Sequence, residues 1–290
     1  MPAFVRVGFA AVLICALGGC QAKHDAATGG DSATVAAAPV TPPAPSSVTV
    51  HARDFAFDAP DQIAAGMTTF HLVNDGPGLH HLVLVRLDSA KTAADLQAAI
   101  KNPGPLPGWA VLSGGPNAAA PKGESVATVD LVPGNYVMLC FVDVPNGIPH
   151  FAKGMVRPLT VTPVTTASAA APVADAVVSL SDYNFALSQP LTAGRHTIKV
   201  ETAPGQPHEL VLIRLGPGKT ARDLLAWMPK MQGPPPGEVV GGASPSVSGS
   251  PVYVSVDLTP GKYLLICFLP DEKDGKPHFT HGMMQTVDIA

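Results

Sequence analysis

Two short segments of this 290-residue chain concentrate sulfur and imidazole. The first runs from Cys140-Phe141 through Pro149-His150-Phe151 to Gly154-Met155, the second from Cys267-Phe268 through Pro277-His278-Phe279 to Gly282-Met283. Such soft donors suit copper, zinc or iron rather than magnesium or calcium, and a thiolate, imidazoles and a weak thioether together suit one-electron copper chemistry. A second imidazole must come from a distant strand. His80 and His208 are the candidates, each entering an apolar run from a turn, Gly76-Pro77-Gly78 before His80 and Pro204-Gly205 before His208. His81 has Glu209 as its counterpart, so it is read as a solvent-facing neighbour rather than a ligand.

The elements that must hold these residues come in two copies. Asp54-Phe55-Ala56-Phe57 returns as Asp182-Tyr183-Asn184-Phe185, and Leu82-Val83-Leu84-Val85-Arg86-Leu87 as Leu210-Val211-Leu212-Ile213-Arg214-Leu215. Asp130-Leu131 matches Asp257-Leu258 after a one-residue slip. A repeat of this length means tandem domains, not a solenoid. Within each copy, short alternating runs such as 48–51, 69–73 and 125–129 read as strands. The turn signal Pro133-Gly134 predicts a hairpin between 129–131 and 136–141. In the second of those strands Tyr136, Met138 and Cys140 share one face, with Val137, Leu139 and Phe141 on the other. Thr92-Ala93-Ala94-Asp95 and Thr220-Ala221-Arg222-Asp223 each open a short helix as a capping box. Turns at Pro145-Asn146-Gly147 and Asp274-Gly275 are suited to bring His150 and His278 back toward their cysteines. Many short strands with one inserted helix per copy predict an all-β fold, two tandem Greek-key β-sandwiches.

The termini and composition narrow the setting. Arg6 precedes an apolar run too short to span a bilayer as a mature helix, ending in Leu17-Gly18-Gly19-Cys20. This resembles a bacterial lipobox, which implies cleavage before Cys20, lipid attachment to its sulfur and export. Gln21 in place of Asp implies the outer membrane if the cell is Gram-negative. The organisation expected is a signal peptide over 1–20, a flexible linker over 21–46, one domain over 47–162, a linker over 163–173 and a second domain over 174–290. Net charge is only −4, which gives no reason to expect a nucleic-acid partner. Of the four cysteines, Cys15 and Cys20 lie in the leader, leaving one in each copy, poorly placed to bridge each other.

The order His, Cys, His, Met, with Gly-x-Tyr-x-x-x-Cys opening the last cluster, resembles the cupredoxin (plastocyanin/azurin-like) family across both copies. The resemblance implies a Greek-key sandwich with a copper site near one end. Carried over residue by residue, the copper ligands are His80, Cys140, His150 and Met155 in the first domain and His208, Cys267, His278 and Met283 in the second. One departure is plain: nine residues separate Cys140 from His150 and ten separate Cys267 from His278, against one to three in familiar members.

Three functions compete. The first is an exported copper protein working in electron transfer with a redox partner in the cell envelope; copper binding or delivery at a non-blue site is its close variant. The second is a metal-free interaction or structural lipoprotein, in which the cysteines are small buried hydrophobes and the methionines fill gaps. The third is a two-domain copper oxidase or nitrite-reductase-like enzyme, which needs His-x-His pairs and a His beside the site cysteine. Neither is present: Cys140 is flanked by Leu139 and Phe141, and Cys267 by Ile266 and Phe268. No nucleophile-base arrangement or phosphate-binding loop stands out, so a non-enzymatic protein without a small-molecule substrate is expected.

Overall fold

The computed structural model describes residues 43–101, 104–145, 147–165 and 168–290. The expected signal peptide, the lipidated Cys20 and most of the first linker lie outside them. In the first repeat the strands are β1 (Ser46–Arg53), β2 (Ala56–Asp58), β3 (Gln62–Ala64), β4 (Gly66–Asn74), β5 (Val83–Leu87), β6 (Ala110–Leu112), β7 (Glu124–Leu131), β8 (Gly134–Leu139) and β9 (Val156–Thr162). The second repeat contributes β10 (Ala176–Ser181), β11 (Asn184–Leu187), β12 (Gly194–Thr202), β13 (His208–Leu215), β14 (Gly237–Ser246), β15 (Val252–Leu258), β16 (Gly261–Ile266) and β17 (Met284–Ile289). One helix interrupts each repeat, α1 (Ala93–Ala99) and α2 (Ala221–Trp227). Both open on the expected capping box, with the Thr92 and Thr220 hydroxyls accepting from the amides of Asp95 and Asp223. Such a cap contributes about 1 kcal/mol. No helix among the described residues is long and apolar enough to cross a membrane.

Each repeat is a two-layer β-sandwich, the all-β fold class its alternating strands predict. In the first, one layer runs β7-β4-β1-β2 and the facing layer β3-β9-β8-β5-β6. In the second, β11-β10-β12-β15 faces β14-β13-β16-β17. Tyr136, Met138 and Cys140 point between the layers into a buried cluster with Val50, Phe70, Leu72 and Leu84. Val137 and Leu139 point the other way, onto Leu96 of α1. Burying a leucine such as Leu96 fully contributes roughly 1.5–3 kcal/mol, enough to dock so short a helix. Leu224 of α2 packs in the same way on Val211, Ile213, Leu264 and Ile266.

The hairpin expected across Pro133-Gly134 does not form. β7 pairs with β4 and β15, whereas β8 lies between β5 and β9 in the facing layer. The turn signal is real, but it carries the chain from one layer to the other. β8 is apolar on both faces and gains most as a central strand, while β7 alternates and serves a layer with one face outward. A tyrosine fixes each crossing: Tyr136 Oη donates to the Val132 carbonyl at 3.0 Å, and Tyr263 Oη to the Thr259 carbonyl at 3.0 Å.

The two sandwiches also share sheets. β7 pairs antiparallel with β15, placing Ala127 opposite Val254, and this joins the two outer layers into one eight-stranded sheet. On the other side, Ser113 bridges Ser246, Pro116 bridges Ala243, and the Asn117 amide donates to the Gly242 carbonyl at 3.0 Å. That second seam reaches both predicted ligand strands, because Ala119 bridges His80 and Ser246 pairs with His208.

Candidate metal centres

The loop after each cysteine decides whether its histidine can reach it. Beyond Cys140 the chain makes a small hairpin, with Asp143 bridging Pro149 and the His150 amide donating to the Val142 carbonyl at 2.8 Å. Beyond Cys267 the equivalent hairpin bridges Pro270 to Pro277, and the His278 amide donates to the Leu269 carbonyl at 2.8 Å. The long Cys-to-His spacing is taken up in these hairpins and leaves the ligands together at their base. A single 3-10 turn follows, His150–Lys153 or His278–His281. It ends at Gly154 (φ 108°) or Gly282 (φ 105°), a left-handed position that glycine adopts without strain. The reversal returns Met155 and Met283 to the core. The Cys140 amide donates to the Met155 carbonyl at 3.4 Å, and the Cys267 amide to the Met283 carbonyl at 3.2 Å. Both methionines are fully buried.

His80, Cys140 and His150 form one buried group of potential ligands, and His208, Cys267 and His278 another. In the first, Cys140 Sγ is 3.5 Å from His150 Nδ1, which is 3.2 Å from His80 Nδ1. In the second the corresponding separations are 3.3 and 3.1 Å. Nitrogen and sulfur donors held about 2.0–2.3 Å from one ion would lie roughly 3.3–3.6 Å apart. The donor types and spacing therefore fit a small, soft-liganded metal ion. Cys140 and Cys267 are both free and buried.

Each strand histidine is oriented from behind. His80 Nε2 donates to Asp54 Oδ1 at 2.9 Å, and His208 Nε2 to Asp182 Oδ1 at 3.2 Å. Placing the proton on Nε2 leaves the Nδ1 lone pair facing the second imidazole, His150 or His278, the carboxylate–histidine arrangement common behind metal ligands. Gly76 makes room for it, since a Cβ there would lie 2.6 Å from His80 Nε2. Burial lowers the pKa of His80, His150, His208 and His278, keeping the rings neutral as ligands must be. Burial also pushes the Cys140 thiol up to about 12, and the Cys267 thiol well above its ordinary value. In the metal-free chain these are thiols, and a metal must displace their protons.

His81 is not solvent-facing. It is buried, and its Nε2 accepts from the Phe141 amide at 2.7 Å, beside Cys140. Glu209 does the same in the second repeat, where its Oε1 accepts from the Phe268 amide at 3.0 Å, beside Cys267. Burial, with His150 and His80 adding to it, pushes the His81 pKa down to about 3, while burial pushes that of Glu209 up. Asn117 joins the two repeats here: its Nδ2 donates to Glu209 Oε2 at 2.9 Å and to the Ala243 carbonyl at 3.1 Å.

Sequence reasoning gave Asp54, Asp182 and Asn117 no role. Asp54 and Asp182 do stand at matched positions in both copies, which is the signal that could have found them. A third group, Asp271, Asp274 and His281, also lies within ligand distance. The Lys276 ammonium already sits on Asp274 at 2.9 Å, and Asp271 accepts from Tyr183, Gln206 and the Lys273 amide. This group is a hydrogen-bond network.

No protein-family model matches the chain, and no curated protein does. Among solved structures, the dithionite-reduced auracyanin of Roseiflexus castenholzii is 23% identical, with 42% of this chain and 100% of that one covered at a TM-score of 0.30. Auracyanin A of Chloroflexus aurantiacus, described as a "blue" copper protein, is 22% identical over 41% of this chain and 99% of that one, with a TM-score of 0.30. The copper nitrite reductase of Nitrosomonas europaea covers 84% of this chain and 93% of its own at 13% identity and a TM-score of 0.25. At these scores the likenesses decide nothing about the site.

Proposed function

We propose that the chain is an exported copper-binding protein acting in electron transfer, with one mononuclear, type 1-like centre in each domain, 47–162 and 174–290. His80, Cys140, His150 and Met155 hold the first metal; His208, Cys267, His278 and Met283 hold the second. The observation that carries this reading is the convergence, in both repeats, of two imidazole Nδ1 atoms and one thiol in a buried pocket. Cys20 anchors the chain through lipid, and the partner is a redox protein of the cell envelope.

Bound copper would supply a one-electron Cu(II)/Cu(I) couple. The chain's own residues keep the pocket constant while that charge changes. Asp54 and Asp182 fix the ring orientation of His80 and His208. The hairpin and 3-10 turn fix His150 and His278 relative to the cysteines, and the apolar shell excludes water. Burial on all sides favours a resident metal over one handed on, which separates electron transfer from delivery.

The test is copper loading of a soluble form beginning after Cys20. Two coppers per chain and an intense thiolate charge-transfer band, both lost in the Cys140→Ser/Cys267→Ser double variant, are expected. Two coppers without that band would favour a non-blue binding site. No retained copper would leave the metal-free interaction module.

A further inference from the structure

The two centres share their ligands but differ at three positions around the imidazole nearest the loop. In the second repeat His278 turns Nδ1 toward Cys267 and His208, and its other nitrogen, Nε2, is buried without a hydrogen-bond partner. The Asp271 carboxylate stands beyond it, with Oδ2 at 3.9 Å. Asp271 is itself buried. Tyr183 Oη donates to Oδ2 at 2.6 Å, Gln206 Nε2 to Oδ2 at 2.9 Å and the Lys273 amide to Oδ1 at 2.9 Å. All three donors are neutral, and among the described residues no lysine or arginine forms an ion pair with this carboxylate. Gln206 is held in turn by the Glu272 amide at 3.1 Å.

Among the described residues of the first repeat, the side chains that build this network are replaced. Phe55 stands where the second repeat has Tyr183, and Gly78 where it has Gln206. Val144 takes the hairpin rung of Asp271: the Val144 amide donates to the Ile148 carbonyl, as the Asp271 amide does to Lys276. The Phe55 ring meets His150 edge-on at 5.1 Å, and the Lys153 ammonium lies over that ring at 4.6 Å. Asp143, the acidic residue of the first hairpin, is exposed. Three linked replacements thus bring a buried negative charge to one centre and an apolar contact with a nearby cation to the other.

We propose that Asp271, positioned by Tyr183 and Gln206, makes the second centre the lower-potential one of the pair, so that an electron shared between the centres rests on the first. This rests on the copper reading above. A carboxylate beside a ligand imidazole increases the ring's electron donation, and a nearby negative charge stabilises Cu(II) over Cu(I). The exchange moves one electron, from Cu(I) at the second centre to Cu(II) at the first; no bond is made or broken and no proton moves. An outside electron donor, such as ascorbate in solution, supplies the electron.

The test uses the copper-loaded full chain in two single-centre forms, Cys140→Ser leaving the second centre and Cys267→Ser leaving the first. Redox titration of each is expected to give the lower potential for the second centre. Asp271→Asn in the Cys140→Ser form should shift the reduction equilibrium at least tenfold toward Cu(I), about 59 mV. The same substitution in the Cys267→Ser form should leave the first centre unchanged. Val144→Asp in the Cys267→Ser form should shift that centre the opposite way, which keeps the test independent of how well Asp271→Asn folds. Equal potentials in the parent forms, or a second centre that Asp271→Asn does not move, would overturn the inference alone. A chain that takes up no copper would overturn the copper reading and this inference together.

Discussion

The same four candidate ligand types recur in both repeats, yet the residues behind them have diverged in charge. Around the first centre stand His81, Phe55 and Val144; at the equivalent places around the second stand Glu209, Tyr183 and Asp271. His81 and Glu209 perform one structural task, accepting the amide next to the cysteine, with side chains of opposite ionisation behaviour. The backbone and ligands are held constant while the electrostatics differ. What a duplication of this kind offers is two related centres in one chain with separately adjustable surroundings.

The largest effect should come from breaking one centre and sparing the other. Cys140→Ser and Cys267→Ser should each remove one copper and one half of the thiolate band, read by metal analysis and visible absorption. Loss of both coppers from either single variant would show that the repeats are not separate sites.

Acid should sharpen the contrast next, in the metal-free chain. His81 falls from its ordinary 6.5 to about 3 on folding, so the unfolded state takes up the proton first. Stability is then lost as pH falls from 6.5 toward 3, by up to about 1.4 kcal/mol per unit. The pKa of Glu209 is raised, so its contribution has the opposite sign: it is present below about 4.5 and lost as pH rises through the folded value. Thermal melting between pH 4 and 7 should show His81→Gln relieving part of the acid loss and Glu209→Gln relieving loss toward neutral pH. Identical pH profiles for the two variants would contradict the assignment.

A smaller effect is expected from the carboxylates behind the strand histidines. Asp54→Ala should weaken copper binding at the first centre alone by about 10- to 100-fold, and Asp182→Ala should do so at the second alone, measured by chelator competition. The smallest effect tests the seam. Asn117→Ala removes one of two donors from buried Glu209 and should cost about 1 kcal/mol in denaturant unfolding.

Much of this was legible in the residues. The ligands stand out because sulfur and imidazole recur at matched spacing, and the capped helices because the capping box is local. The crossing at Pro133-Gly134 is not legible in the sequence, because a turn signal says that the chain reverses, not which sheet it joins. The shared sheet was hidden for a similar reason: an alternating edge strand such as β7 or β15 accepts a partner from either repeat. The role of His81 is hidden because it does not match Glu209 by type. A comparison of identities misses that both are acceptors for the same amide.

Both proposals stand on a copper–thiolate bond in each repeat. Copper K-edge X-ray absorption of the copper-loaded chain tests it most directly. A short sulfur scatterer together with imidazole nitrogens is expected at every copper, with the signal per copper unchanged in either single-cysteine variant. A shell of nitrogen and oxygen alone, with both thiols still free, would contradict it.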